Sequence, residues 1–285
     1  MIKRSTLTGY GLKWNPFLPA VPIDGLIVTP RIESFCYRVE SLVLDGGFAM
    51  ITGDPGTGKS ATLRVLADRL TKIKELSVCV MTRPQSGVAD FYREIGTYFT
   101  VPWQVTNRWQ CFRGLREKWL DHIDKAFFRP VLLIDEAQEI PAAVLNELRL
   151  LSSTDFDSKN VLTVVLCGDQ RLTEKFRSAE LVPLGTRIRT RFTTETASRD
   201  DLVSHLEERM AKAGNANLMS KDLIRTIADH SVGNFRVMLT TCDELFTKAI
   251  EKDLPQMDEG LFLEVYQRAE GRRSNLKPTR KMEKQ

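Results

Sequence analysis

With 285 residues and 42% hydrophobic content, the chain is long enough for one large domain or two smaller ones, each with its own core. Its net charge of +4, with 27% charged residues, permits nucleic-acid binding without demanding it. No stretch approaches the roughly 18 apolar residues that span a bilayer, and the basic N-terminus has no apolar run behind it. A soluble, cytoplasmic protein without a membrane partner is expected. The five cysteines (Cys36, Cys79, Cys111, Cys167, Cys242) are scattered and read as reduced and buried. His122, His205 and His230 form no metal-ligand spacing.

Residues 10–30 hold Pro16, Pro19, Pro22 and Pro30, with Trp14 and Phe17 between them, and read as an extended segment pinned by aromatic anchors. A helix follows over 31–45, where Ile32, Phe35, Cys36, Val39 and Leu42 repeat at three and four. Apolar runs at 48–52, 76–81, 131–134 and 161–167 read as buried parallel strands. Helical patterns lie between them at 88–99, 109–126 and 142–151, the last with Pro141 at its first turn. Alternating strands and helices predict an α/β doubly wound sheet. After about residue 196 four helical patterns follow with no clear strand. The first ends at Gly214; Ser220, Asn234 and Asp258 stand before the other three. The expected organisation is an N-terminal segment 1–30, an α/β core 31–196, a small all-α domain 197–270 and a tail 271–285. That tail carries six basic residues (Arg272, Arg273, Lys277, Arg280, Lys281, Lys284) against Glu283 and is expected to be mobile.

Gly53-Asp54-Pro55-Gly56-Thr57-Gly58-Lys59-Ser60 has the full spacing of a phosphate-binding loop, after a strand and before a helix. Glycines let backbone N–H groups turn inward on phosphates, and the next helix adds its positive end. Lys59 is expected on the β and γ phosphates of ATP and Ser60 on Mg2+. Asp135 and Glu136 end an apolar strand: Asp135 suits the metal, and Glu136 suits orienting and deprotonating the attacking water. The strand end Cys167-Gly168-Asp169-Gln170 offers a polar side chain toward the γ-phosphate. Gln170 suits this better than Asp169, whose carboxylate would repel phosphate; a plain turn is the other reading. Arg187, Arg189 and Arg191 alternate, so all three are expected on one side of an extended segment. One of them, Arg187 first, could reach a neighbour's nucleotide; a solvated or DNA-facing basic stripe is the alternative. Arg236 opens a helix after Gly233-Asn234-Phe235 and could close on the γ-phosphate, or simply sit exposed in a first turn. Arg83, Arg108, Arg113, Arg116 and Lys118, interleaved with Trp103 and Trp109, could contact DNA phosphates; Glu117, Asp121 and Asp124 nearby fit a solvated helix face equally well.

Taken together, these landmarks resemble those of AAA+ ATPases: Walker A at Gly53–Ser60, Walker B at Leu132–Glu136, the polar end of the fourth strand as sensor 1, the Arg187 region as arginine finger, and Gly233–Arg236 as sensor 2. The opening Gly11-Leu12-Lys13-Trp14-Asn15-Pro16-Phe17 looks like the start of the ExeA-like branch, which contains the TniB and TnsC transposition ATPases. The resemblance covers about residues 9–270. It implies a P-loop fold with a parallel five-stranded sheet and a helical lid, and an N-terminal segment near the adenine. It further implies an ATP- and Mg2+-dependent oligomer, a ring or helical filament on double-stranded DNA. Such an oligomer would recruit and stimulate a DDE-type transposase and could also meet a target-selection protein. The sensor 1 side chain departs from the more usual Asn or Thr. The chain ends after the lid without the membrane segment of a secretion ATPase, which favours the compact transposition regulators. A secretion-pathway accessory ATPase, a replication initiator or helicase loader, and an ATP-gated scaffold remain the other readings.

Overall fold

The structure is a computed structural model that describes residues 4–81, 84–102, 108–126, 128–155 and 158–274. The chain divides into two compact units, Val28–Thr196 and Met1–Ile27 with Ala197–Gln285. Helix α1 (Arg4–Gly9) belongs to the second of these.

The first unit opens with α2 (Pro30–Asp45). Thr29 caps it by accepting from Ile32 N–H, and Pro30 sets φ at the first position. Strand β1 (Gly47–Gly53) leads into the phosphate loop and α3 (Lys59–Thr71). Then come β2 (Leu76–Met81), α4 (Val88–Tyr98), α5 (Arg108–Ala126) and β3 (Arg129–Ile134). A 3-10 turn at Ala137–Glu139 precedes α6 (Ala142–Ser152). A short antiparallel pair, β4 (Ser153–Thr154) and β5 (Lys159–Asn160), leads to β6 (Thr163–Gly168). Two short helices, α7 (Gln170–Lys175) and α8 (Val182–Gly185), precede β7 (Ile188–Thr194).

Five strands form one sheet in the order β2-β3-β6-β1-β7, every neighbour pair parallel. Strands β1 and β6 are buried along their whole length, because helices cover both faces of a parallel sheet. That explains why they read as unbroken apolar runs. Phe48, Ile51, Leu133 and Val165 are at most 1% exposed, each contributing about 1.5–3 kcal/mol by burial. Edge strand β7 differs, with buried Ile188, Thr190 and Phe192 alternating with exposed Arg189, Arg191 and Thr193. Phe192 stacks on Phe35 of α2 at 5.1 Å. Because all strands run the same way, Gly53, Ile134 and Gly168 end at one edge of the sheet, where α/β folds bind their ligands.

The second unit is a helical bundle of α9 (Arg199–Ala213), α10 (Lys221–His230), α11 (Phe235–Glu251) and α12 (Glu259–Ser274). Ser198 and Asp201 form a capping box on α9, which ends at Gly214 with φ 117°. Ser220 and Asn234 cap the next two helices, and the Asp258 carboxylate accepts from Leu261 N–H at the start of the fourth. The N-terminal residues, expected as a separate segment, pack into this bundle. Leu12 and Phe17 share its core with Leu206, Met210 and Phe246. Buried Arg209 donates to the carbonyls of Pro16 and Leu18, and Asn15 Nδ2 donates to Asp243 at 2.8 Å. Helix α12 continues to Ser274; Lys277, Arg280, Lys281 and Lys284 of the expected tail lie outside the described residues. Among the described residues no helix is long and apolar enough to cross a membrane.

Candidate functional site

The phosphate loop turns on glycines. Gly53, Gly56 and Gly58 have φ of 152°, 84° and 97°. Gly53 needs its bare Cα twice over: a Cβ there would fall 2.0 Å from Thr194 Oγ1 and 2.5 Å from its carbonyl. Gly58 occupies the N-cap of α3 in a left-handed conformation and brings no side chain to the first-turn N–H groups. They are left for a ligand, at the positive end of a 13-residue helix. Lys59 Nζ rests on the Asp54 carbonyl at 2.9 Å. Thr57 is buried; its hydroxyl donates to Asp54 O at 2.7 Å and lies 2.6 Å from Thr194 Oγ1. This cradle fits an anion of triphosphate type. Ser60 is exposed in the first helical turn.

Asp135 follows the buried strand β3, and its Oδ1 accepts from Glu136 N–H at 2.9 Å. Glu136 is exposed and holds φ 52°, a left-handed conformation that costs a non-glycine residue about 1–2 kcal/mol. It turns the chain sharply out of the sheet and leaves its carboxylate beside the Gln138 amide, Oε2 to Nε2 2.5 Å. The Cys167 thiol of β6 is buried against Asp135, and that burial pushes its pKa well above the usual thiol range.

On the third strand end, Asp169 and Gln170 take different partners. Asp169 caps α7, accepts from Arg171 N–H at 2.9 Å and pairs with the Arg171 guanidinium at 2.8 Å, which holds its carboxyl below the usual range. Gln170 donates through Nε2 to Asp54 Oδ1 at 2.8 Å, so it touches the phosphate loop.

One expectation needs correction. Alternation was expected to place Arg187, Arg189 and Arg191 on one side of an extended segment. Only Arg189 and Arg191 stand on the exposed face of β7. Arg187 belongs to the helical turn before it, its N–H donating to Leu184 O at 2.9 Å, and Arg191 donates to Gly185 O. β7 pairs Ile188 with Phe48 and Thr194 with Gly53. Arg187 therefore sits a full strand, roughly 20 Å, from its own phosphate loop.

Part of the basic set between β2 and β3 is described. The Arg108 side chain is 60% exposed, but its guanidinium is tied to the protein. It pairs at 2.7 Å with Glu147, a buried carboxylate that also accepts from the Tyr92 hydroxyl at 2.5 Å. Arg113 pairs with Glu117 at 3.3 Å, Arg116 lies over the Phe112 ring at 5.4 Å, and Lys118 donates to Thr100. Trp109 stays 64% exposed, stacked on Phe112. Arg83 and Trp103 lie outside the described residues. Arg236, in the bundle, is exposed in the first turn of α11, its N–H held by the Asn234 side chain.

Sequence reasoning missed Gln138 and Thr194. Gln138 stood three positions after Asp135, and Thr194 closed the strand that carries the arginines, but neither belongs to a motif.

Residues 43–176 match the family model of the AAA domain. The general secretion pathway protein A of Aeromonas hydrophila is 29% identical over 246 residues, 85% of this chain. The chain spans only 44% of that relative's length. Among solved structures, Cdc6p from Pyrobaculum aerophilum superposes with a TM-score of 0.69 at 16% identity, over 85% of this chain and 67% of its own. The Aeropyrum pernix ORC1 protein in complex with DNA gives 0.66 at 16% identity, over 91% and 69%. Sheet order, phosphate loop and these likenesses agree on one architecture: the chain has the α/β P-loop fold of AAA+ proteins, with a five-stranded parallel sheet.

Proposed function

We infer that this chain is a Mg2+-dependent ATPase whose nucleotide state controls its assembly on double-stranded DNA, and that it regulates DNA transposition by recruiting and stimulating a DDE-type transposase. The observation that carries the ATPase reading is the convergence of three strand ends: the glycine cradle with Lys59, the Asp135–Glu136 pair, and Gln170 bonded to Asp54. Lys59 and the loop N–H groups hold the phosphates, Ser60 and Asp135 hold the metal, and Glu136 orients and deprotonates the water. Mg2+, when bound, supplies Lewis-acid neutralisation of phosphate charge. Gln170 holds the loop and reads the γ-phosphate.

Arg187 lies too far from its own loop to serve it, which supports a finger given to a neighbouring subunit. Arg236 is proposed to close on the γ-phosphate, and the N-terminal segment to lie by the adenine. DNA contact rests on the basic balance of the chain and on a fold shared with proteins solved on DNA. Arg113, Arg116 and Lys118 remain candidates for it, whereas Arg108 is engaged elsewhere.

With ATP, Mg2+ and duplex DNA, the protein should form rings or filaments by electron microscopy; Glu136→Gln should form them and stop turning over. If DNA has no effect on assembly, the transposition reading loses its basis. A secretion-pathway accessory ATPase is the second reading, favoured by the 29% identical secretion protein. ATP-driven assembly that ignores DNA would favour it.

A further inference from the structure

Gln138 bridges two of the three strand ends. Its Nε2 donates to Glu136 Oε2 at 2.5 Å, and its Oε1 accepts from Asp169 N–H at 3.1 Å. The orientation of the amide is chemically fixed, because a backbone N–H can only donate and must face the oxygen. The NH2 group is thereby turned to the carboxylate. The residue is only 7% exposed, and its own carbonyl is held by Lys175 Nζ at 2.8 Å, so the 3-10 turn that carries it is anchored from α7. Gly168 makes room: a Cβ there would lie 2.5 Å from Gln138 Oε1. One residue beyond Asp169, Gln170 reaches Asp54 of the phosphate loop. A continuous polar chain runs Glu136, Gln138, Asp169–Gln170, Asp54.

We propose that Gln138 is a positioning residue for hydrolysis: it sets the direction of the Glu136 carboxylate and ties it to the strand end that contacts the phosphate loop. This rests on the ATPase reading above. Glu136 is exposed on a strained, left-handed residue, and a carboxylate in that place has several rotamers open to it. The buried amide selects one. Movement of Gln170 when the loop fills would pull on Asp169 and, through the amide, re-aim the carboxylate, so the base would be in place only when the nucleotide is.

The test uses the full chain with ATP, Mg2+ and DNA. Gln138→Ala should lower the melting temperature by a few degrees, because Asp169 N–H loses its acceptor, and should lower kcat about 10- to 100-fold in the folded protein while the KM for ATP stays near wild type, as expected for misplacement of a base. Gln138→Glu keeps the shape but opposes two carboxylates; it should be at least as slow. The decisive readout is the double variant. In a Glu136→Gln background, Gln138→Ala should cost nothing further in single-turnover rate, because the residue acts through Glu136. An additive loss, an unchanged kcat for both single variants, or a loss confined to KM would overturn the proposal. Full turnover by Glu136→Gln alone would remove Glu136 as the base and the proposal with it, whereas no ATP turnover by the wild-type chain would overturn the ATPase reading itself.

Discussion

Glu136 carries two burdens, the carboxylate that faces water and a backbone angle of φ 52° that disfavours its side chain. Strain of this kind collects at functional sites. Val232, with φ 45° and 81% exposure, shares the strain without burying its side chain. Val232→Asn should therefore stabilise the protein by about 0.5–1 kcal/mol, seen as a higher midpoint in urea, since Asn tolerates this conformation. Arg108 tests the basic set between β2 and β3. Arg108→Ala strips a buried carboxylate of its ion pair, leaving Tyr92 as its side-chain partner among the described residues, and should lower stability by about 1–3 kcal/mol with DNA affinity unchanged. A lost affinity at constant melting temperature would return Arg108 to the DNA set. Residues with a fixed spacing, Gly53 to Ser60 and Asp135-Glu136, were legible because the chemistry demands that spacing. Gln138 was not, since its role depends on Gly168, thirty positions on, leaving room for an amide.

At the scale of elements, β7 is both a sheet edge and a support for the phosphate loop. Thr194 lies 2.6 Å from Thr57 through their hydroxyls and donates to Thr52 O at 3.2 Å. Gly53→Ala would drive a methyl into Thr194, so ATP binding, measured by fluorescent-analogue titration, should fall by at least about tenfold even where the chain still folds. The central strands were legible as apolar runs because both their faces are covered. The full extent of β7 was not, because its alternation starts only after the α8 turn has carried the chain through Arg187. Likewise the β4–β5 pair is two residues a side, too short for any periodicity to mark.

Over the whole molecule, the helical bundle was legible from its caps, while the lodging of residues 4–27 in it was not. That lodging depends on Arg209 meeting Pro16 and Leu18, contacts across most of the chain. The bundle also holds His205, its ring tilted 47° against that of Phe235 with centroids 4.6 Å apart. Burial first, then Arg209 and Lys212, drop its pKa to about 3 from an ordinary 6.5. The unfolded chain takes up this proton before the folded one does. The stability it supports is present above pH 6.5 and is lost as pH falls toward 3, by at most about 1.4 kcal/mol per pH unit. Urea titrations at pH 7.5 and 5 should show the drop, and His205→Phe should flatten it. On the proposed reading, Arg187→Ala should cut turnover about 10³-fold in assemblies and leave isolated subunits at their basal rate. Finally, on the same proposed reading, an arginine donated from one end of β7 with the phosphate loop at the other would make the contact between copies head-to-tail. An open row of such copies has unlike ends. At one, a nucleotide has no arginine beside it; at the other, an arginine has no nucleotide to serve. Growth and loss of subunits would then differ at the two ends, with hydrolysis slowest where the site is left half-built.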